Sequence, residues 1–97
     1  MPEYIWDEEK NKINFYKHGV DFSEARSVFK DDDALYSFDG LHSQDEDRWT
    51  ILGESNKAKT LYVVYCVREM YTIRIISARK ATKNERKEYY ERKYGIT

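Results

Sequence analysis

Residues 73–90 read IRIISARKATKNERKEYY, and this stretch decides the fold. Ile73, Ile75 and Ile76 are β-branched and apolar, as a buried strand requires. Thr82 and Glu85 stand at the spacing of a capping box, in which each side chain satisfies an orphan amide at a helix start. The stretch therefore predicts a strand that runs straight into a capped helix. Arg74, Arg79, Lys80, Lys83, Arg86 and Lys87 crowd the junction. A rigid strand end that carries fixed positive charge suits a polyanion.

Working outward, Tyr71–Ala78 is the strand and about Lys83–Lys93 the helix, with Gly95 past its end. Thr60–Val67 is almost continuously apolar, β-branched or aromatic, as in a central strand covered on both faces. Arg68-Glu69-Met70 joins the two as a tight hairpin, although it lacks the glycine or asparagine that such turns favour. Arg48–Leu52 reads as another strand, followed by a turn over Gly53–Lys59. Ala34–Phe38 is a weaker strand signal, and Asp39–Asp47 is a polar loop.

Nearer the start, Glu3–Trp6 is a short strand. Asp7 caps a helix whose first turn holds Glu8 and Glu9 and whose last holds Lys17 and His18, with Gly19 as its left-handed stop. Ile13, Tyr16 and Phe15 supply its apolar side. Asp21 and Glu24 again have capping-box spacing, Val20 and Ala25 could staple the second helix, and Phe22, Ala25, Val28 and Phe29 share a face. Asp31-Asp32-Asp33 ends it. The order is β-α-α-β-β-β-α, an α+β arrangement with helices packed on an antiparallel sheet.

Ninety-seven residues, 40% hydrophobic and 15% aromatic, fit a single folded domain over 1–97. Cys66 is the only cysteine, which excludes an internal disulfide and fits a core thiol in a cytoplasmic protein. The first ten residues lack the basic and apolar regions of a signal peptide, and no stretch has the length of a membrane span. The net charge of −1 conceals a split. Residues 1–50 hold 13 acids and 6 bases, net −7, while residues 51–97 hold 5 acids and 11 bases, net +6. One region could meet a polyanion and another a basic partner, unless the fold interleaves the two halves.

His18 and His42 are far apart, and neither they nor Cys66 has metal-ligand spacing. No glycine-rich phosphate loop or nucleophile elbow is present, so no cofactor is implied. Chemistry must come from basic groups, His, Tyr and Glu. Such a set suits RNA cleavage, because the 2′-hydroxyl is the nucleophile and arginine matches phosphate oxygens. Arg79, on the face of Ser77 by strand parity, is the first candidate for phosphate binding; pairing with Glu85 is its structural alternative. Arg48 and Arg74 are candidates for the same role. Arg68 suits a solvated turn. Lys17 and His18 either cap the first helix or supply a phosphate contact and a proton-transfer group. His42 reads as a loop bystander. Trp6 reads as core, with base stacking as the alternative, and Tyr89, Tyr90 and Tyr94 as packing on the sheet.

The segments WDEEKNKINFYKHGVDFSEARSVFKD (6–31), DRWTILGES (47–55), LYVVYCVRE (61–69) and IRIISARKATKNERKEY (73–89) resemble the BrnT family of type II toxin–antitoxin systems. KHGV-x-F and ISARKAT-x-x-ER carry the likeness most specifically. The resemblance implies a RelE-like fold and a metal-independent ribonuclease toxin that arrests translation. It also implies a BrnA-like ribbon-helix-helix antitoxin, whose complex with the toxin would bind operator DNA. Carried over by position, the candidates are Lys17, His18, Arg48, Arg68, Arg79 and Lys80; with the residues of the basic junction added, Lys17, His18, Arg48 and Arg79 are the catalytic candidates and Arg68, Arg74, Lys80, Lys83 and Arg86 the RNA contacts. A non-catalytic nucleic-acid- or partner-binding module, including a degenerate toxin kept as an antitoxin platform, is the competing reading.

Overall fold

A computed structural model describes residues 2–95. In chain order its elements are β1 (Glu3–Ile5), α1 (Glu8–His18), α2 (Phe22–Ser27), β2 (Leu35–Asp39), β3 (Arg48–Glu54), β4 (Thr60–Arg68), β5 (Thr72–Lys80) and α3 (Lys83–Tyr94). Short 3-10 turns occupy Val28–Lys30, Gly40–His42 and Glu69–Tyr71. The weak signal at Ala34–Phe38 is thus a full strand, Leu35–Asp39, so four strands follow α2 where the expected β-α-α-β-β-β-α order had three. The sheet order is β1-β5-β4-β3-β2. The α+β class holds, but the sheet is mixed. β1 lies parallel to β5, with Glu3 beside Thr72, while the other pairs are antiparallel. Strand propensity states that a segment is extended, not which neighbour it takes.

The helix punctuation follows the sequence closely. Thr82 Oγ accepts from the Glu85 amide at 3.1 Å, and Glu85 accepts from the Thr82 amide at 2.8 Å. Gly19 and Gly95 adopt φ of 69° and 68° as helix stops. Asp7 caps α1 by accepting from the Lys10 amide. At α2 the expected reciprocal box is absent. Asp21 accepts from the Ser23 amide and hydroxyl, whereas Glu24 turns inward and accepts from Ser55 Oγ at 2.7 Å. A carboxylate buried in this way must find a donor, and Ser55 supplies it.

The two sheet faces are covered differently. On one face Ile51, Leu61, Val63, Tyr65, Ile75 and Ala78 pack against Val20, Phe22, Ala25 and Val28. Gly53 belongs to this face inside β3, not to a turn. A Cβ there would come within 2.9 Å of Val28 Cγ1 and 3.0 Å of Ala34 Cβ, so only glycine lets the layers close. On the other face α3 buries Tyr89 over Leu52 and Ala81, with Leu35, Tyr62 and Tyr90 at the margin. Asp31 anchors α3 by accepting from Tyr89 Oη at 2.5 Å and from the Glu54 amide at 2.7 Å.

α1 departs from its amphipathic reading. Ile13, Phe15 and Tyr16 are exposed, and the buried residues are Asn11 and Asn14. β1 ends beside Arg74, which leaves the rest of the β5 edge unpaired by strand. Asn14 fills that gap. Its amide donates to the Ala78 and Val20 carbonyls at 2.8 and 3.0 Å and accepts from the Ala78 amide at 3.1 Å. A side-chain amide thus stands in for a peptide of a missing strand, satisfying groups that would otherwise be orphaned. Asn11 accepts from the Phe22 amide, which joins α1 to α2.

Candidate functional site

Register decides which basic side chains share a surface. Across β2, β3, β4 and β5, the α3-covered face carries Leu35, Leu52, Tyr62 and Arg79 in one row, and Ser37, Thr50, Val64 and Ser77 in the next. Asp39 pairs with Arg48 and Cys66 with Arg74 one row further, and Arg68 pairs with Thr72 beyond them. Arg74 and Arg79 are five residues apart and would face opposite ways on a regular strand. A register shift sets Val64 opposite Ser77 but Tyr65 opposite Ile75, so Ile76 is an extra residue in β5. That bulge returns both arginines to one face. Arg48, Arg68, Arg74 and Arg79 therefore share a face, with α3 covering only the Arg79 end.

Arg79 is held firmly. Its two terminal nitrogens donate to the Glu85 carboxylate at 2.8 and 3.0 Å, and its guanidinium lies 4.2 Å above the Tyr62 ring. Donating these hydrogen bonds to Glu85 raises the Arg79 pKa above its ordinary value. The same fork, against burial, holds Glu85 below the usual carboxylate range. Glu85 thus serves Arg79 and the helix cap together, the pairing that the sequence offered as the structural alternative.

At the other end, Glu46 stands between two arginines. It lies 3.3 Å from Arg68 and 3.8 Å from Arg74. This carboxylate of the acidic half neutralises part of the basic half, so the charge split is only partly preserved on the surface. Arg48 lines a hollow of about 270 Å³ with Leu41, His42, Gln44, Asp45 and Glu46. His42 is no isolated loop residue, because its Nδ1 lies 3.0 and 3.1 Å from the two Asp39 carboxylate oxygens. The Asp39–His42 spacing of three was visible in the sequence; that the intervening residues turn was not.

The remaining candidates sit apart. Lys17 and His18 are exposed and line a groove of about 220 Å³ with Lys10, Ile13, Asn14, Ile76 and Ser77, at the β5 edge. Lys80 pairs with Leu61, which places it on the opposite face from Arg79. Lys83 and Arg86 are exposed on the first turns of α3. Trp6 packs edge-on against Phe22. Tyr89 is fully buried, and Tyr94 stacks on Tyr90 with centroids 6.1 Å apart. Among the described residues no helix is long and apolar enough to cross a membrane.

The surface has the chemistry of a polyanion site. The family described as "Ribonuclease toxin, BrnT, of type II toxin-antitoxin system" matches residues 6–85. The crystal structure of the Brucella abortus ribonuclease toxin BrnT is similar over 86% of this chain and 100% of that one, with a TM-score of 0.66 and 26% identity. Among curated proteins nothing matches.

Proposed function

This chain belongs to the BrnT family of ribonuclease toxins of type II toxin–antitoxin systems, and from that premise we propose that it cleaves RNA without a metal ion. The RNA supplies its own nucleophile, the 2′-hydroxyl. The protein has to align it, move protons and stabilise a pentavalent phosphate. One observation carries the reading: Arg48, Arg68, Arg74 and Arg79 converge on one sheet face. Arg48, Arg74 and Arg79 hold the phosphates near the cut, with Arg79 entering by exchanging Glu85 for a phosphate oxygen. Arg68, Lys83 and Arg86 bind flanking backbone, whereas Lys80, on the opposite face, does not, and Lys17 and His18 act from the β5 edge.

The toxin arrests translation in the cytoplasm until an antitoxin of the BrnA-like, ribbon-helix-helix kind covers it, and the complex represses its operon at operator DNA. The acidic charge of residues 1–50 favours a basic partner over RNA.

The Arg79–Glu85 fork itself favours a second reading, a non-catalytic binding module, because both fork nitrogens are already taken. Wild type and Arg79→Ala, both checked for folding by circular dichroism, are incubated with RNA in EDTA. The proposal expects cleavage that persists in chelator and falls about 10²–10³-fold in the variant. Equal product from both proteins defeats it. Salt-dependent RNA binding without product supports the module instead.

A further inference from the structure

We propose that His42, oriented by Asp39, takes the proton from the attacking 2′-hydroxyl. The inference rests on the ribonuclease reading and assigns the proton acceptor that it leaves open.

The loop between β2 and β3 starts and ends at cross-strand partners, Asp39 and Arg48. Ser43 fastens it, donating from Oγ to the Asp39 carbonyl at 2.5 Å and accepting from the Arg48 amide at 2.9 Å. His42 therefore belongs to a closed loop whose two ends are fixed by the sheet. Nδ1–H donates to both Asp39 oxygens, which fixes the tautomer and leaves the Nε2 lone pair free. His42 shares its hollow with Arg48, Asp45 and Glu46, and Glu46 in turn reaches Arg68 and Arg74. A phosphate drawn to these arginines lies beside a base whose side chain is 69% exposed and open to it.

His18 lines a different groove, at the β5 edge by Ser77, and shares no hollow with Arg48 or Glu46. Of the two histidines, His42 is the one that shares a hollow with an arginine of the face, Arg48, and with Glu46, the carboxylate that pairs with two more.

The step balances within the RNA. Nε2 takes the 2′-hydroxyl proton, the 2′-oxygen bonds to phosphorus, and the bond from phosphorus to the 5′-oxygen breaks. Water protonates the 5′-oxygen, and the resulting hydroxide recovers the proton from the imidazolium. The products are a 2′,3′-cyclic phosphate and a 5′-hydroxyl.

The test measures kcat/KM against pH in EDTA for wild type, His42→Ala, Asp39→Asn and His18→Ala on one RNA oligonucleotide. His42→Ala is expected to lose about 10²–10³-fold. Asp39→Asn is expected to lose about tenfold in kcat with KM nearly unchanged, because the amide no longer holds the imidazole by Nδ1. A merely structural Asp39 would not confine the loss to kcat. Wild-type kcat/KM in His42→Ala, or loss confined to His18→Ala, overturns the assignment and leaves the ribonuclease reading standing. A wild type that yields no product removes both.

Discussion

The two faces of the sheet make opposite use of the same five strands. The face under α1 and α2 is filled by Phe22, Val28, Ile51, Leu61, Val63 and Ile75, all at most 2% exposed. The face under α3 closes around little more than Leu52, Ala81 and Tyr89, and then gives way to arginines and the carboxylates that hold them. Burial of apolar area is the main favourable force in folding, so the first face carries most of the stability. The second is free to keep like charges close together, at a cost the first offsets.

Substitutions at matched depth can break that division of labour. Phe22→Ala removes a fully buried ring and is expected to lower unfolding free energy by about 3–5 kcal/mol in urea titrations. Arg74→Ala, whose pair with Glu46 is long and partly exposed, is expected to change it by no more than about 0.5 kcal/mol while RNA binding weakens. Comparable stability losses from both would show that the faces are not specialised.

Acid sharpens the comparison, because the α3 face rests on carboxylates. Burial pushes the Asp31 carboxyl up, but donation from the Glu54 amide, the Tyr89 hydroxyl and the Asp33 amide outweighs it and holds the group below its ordinary value. A depressed carboxylate stabilises the fold above its unfolded pKa, and the contribution is lost as pH falls through the folded value. The urea midpoint should therefore drop between pH 5 and pH 2. Asp31→Asn should begin lower and drop less. An equal drop in both would place the acid sensitivity elsewhere.

The smallest effect belongs to Glu46. Glu46→Gln unmasks Arg68 and Arg74 and is expected to tighten RNA binding a few-fold at low salt, with a steeper salt dependence. Unchanged affinity would mean that this end of the face does not meet RNA.

What the sequence could disclose was local. The Thr82–Glu85 box, the caps at Asp7 and Asp21, the stops at Gly19 and Gly95 and the apolar run of β4 each depend on near neighbours. The misses depend on partners far along the chain. Nothing near Glu3–Ile5 specifies a parallel place beside β5. Periodicity assigned Ile13 to the interior of α1, yet that helix docks through asparagines onto a backbone edge that exists only in the fold. Met70 and Tyr71 take φ of 59° and 63° in the β4–β5 turn, where glycine or asparagine would be read, because the paired strands impose the geometry. For the site, the candidate arginines could be named from the sequence. Their convergence could not, since it hangs on one extra residue at Ile76. The Asp39–His42 pair was passed over for a similar reason, as its loop is shaped by the strands at its two ends.

The amide of Asn14 has a consequence for when the protein can become a toxin at all. Its long-range acceptor and donor, both on Ala78, lie 64 residues further along the chain. A ribosome adding roughly 5–20 residues per second delivers that partner about 3–13 s after Asn14. β1 waits similarly for Thr72–Arg74. The first helix and strand are therefore made early and completed late, so the emerging chain has no finished sheet edge, no bulge and no aligned arginines.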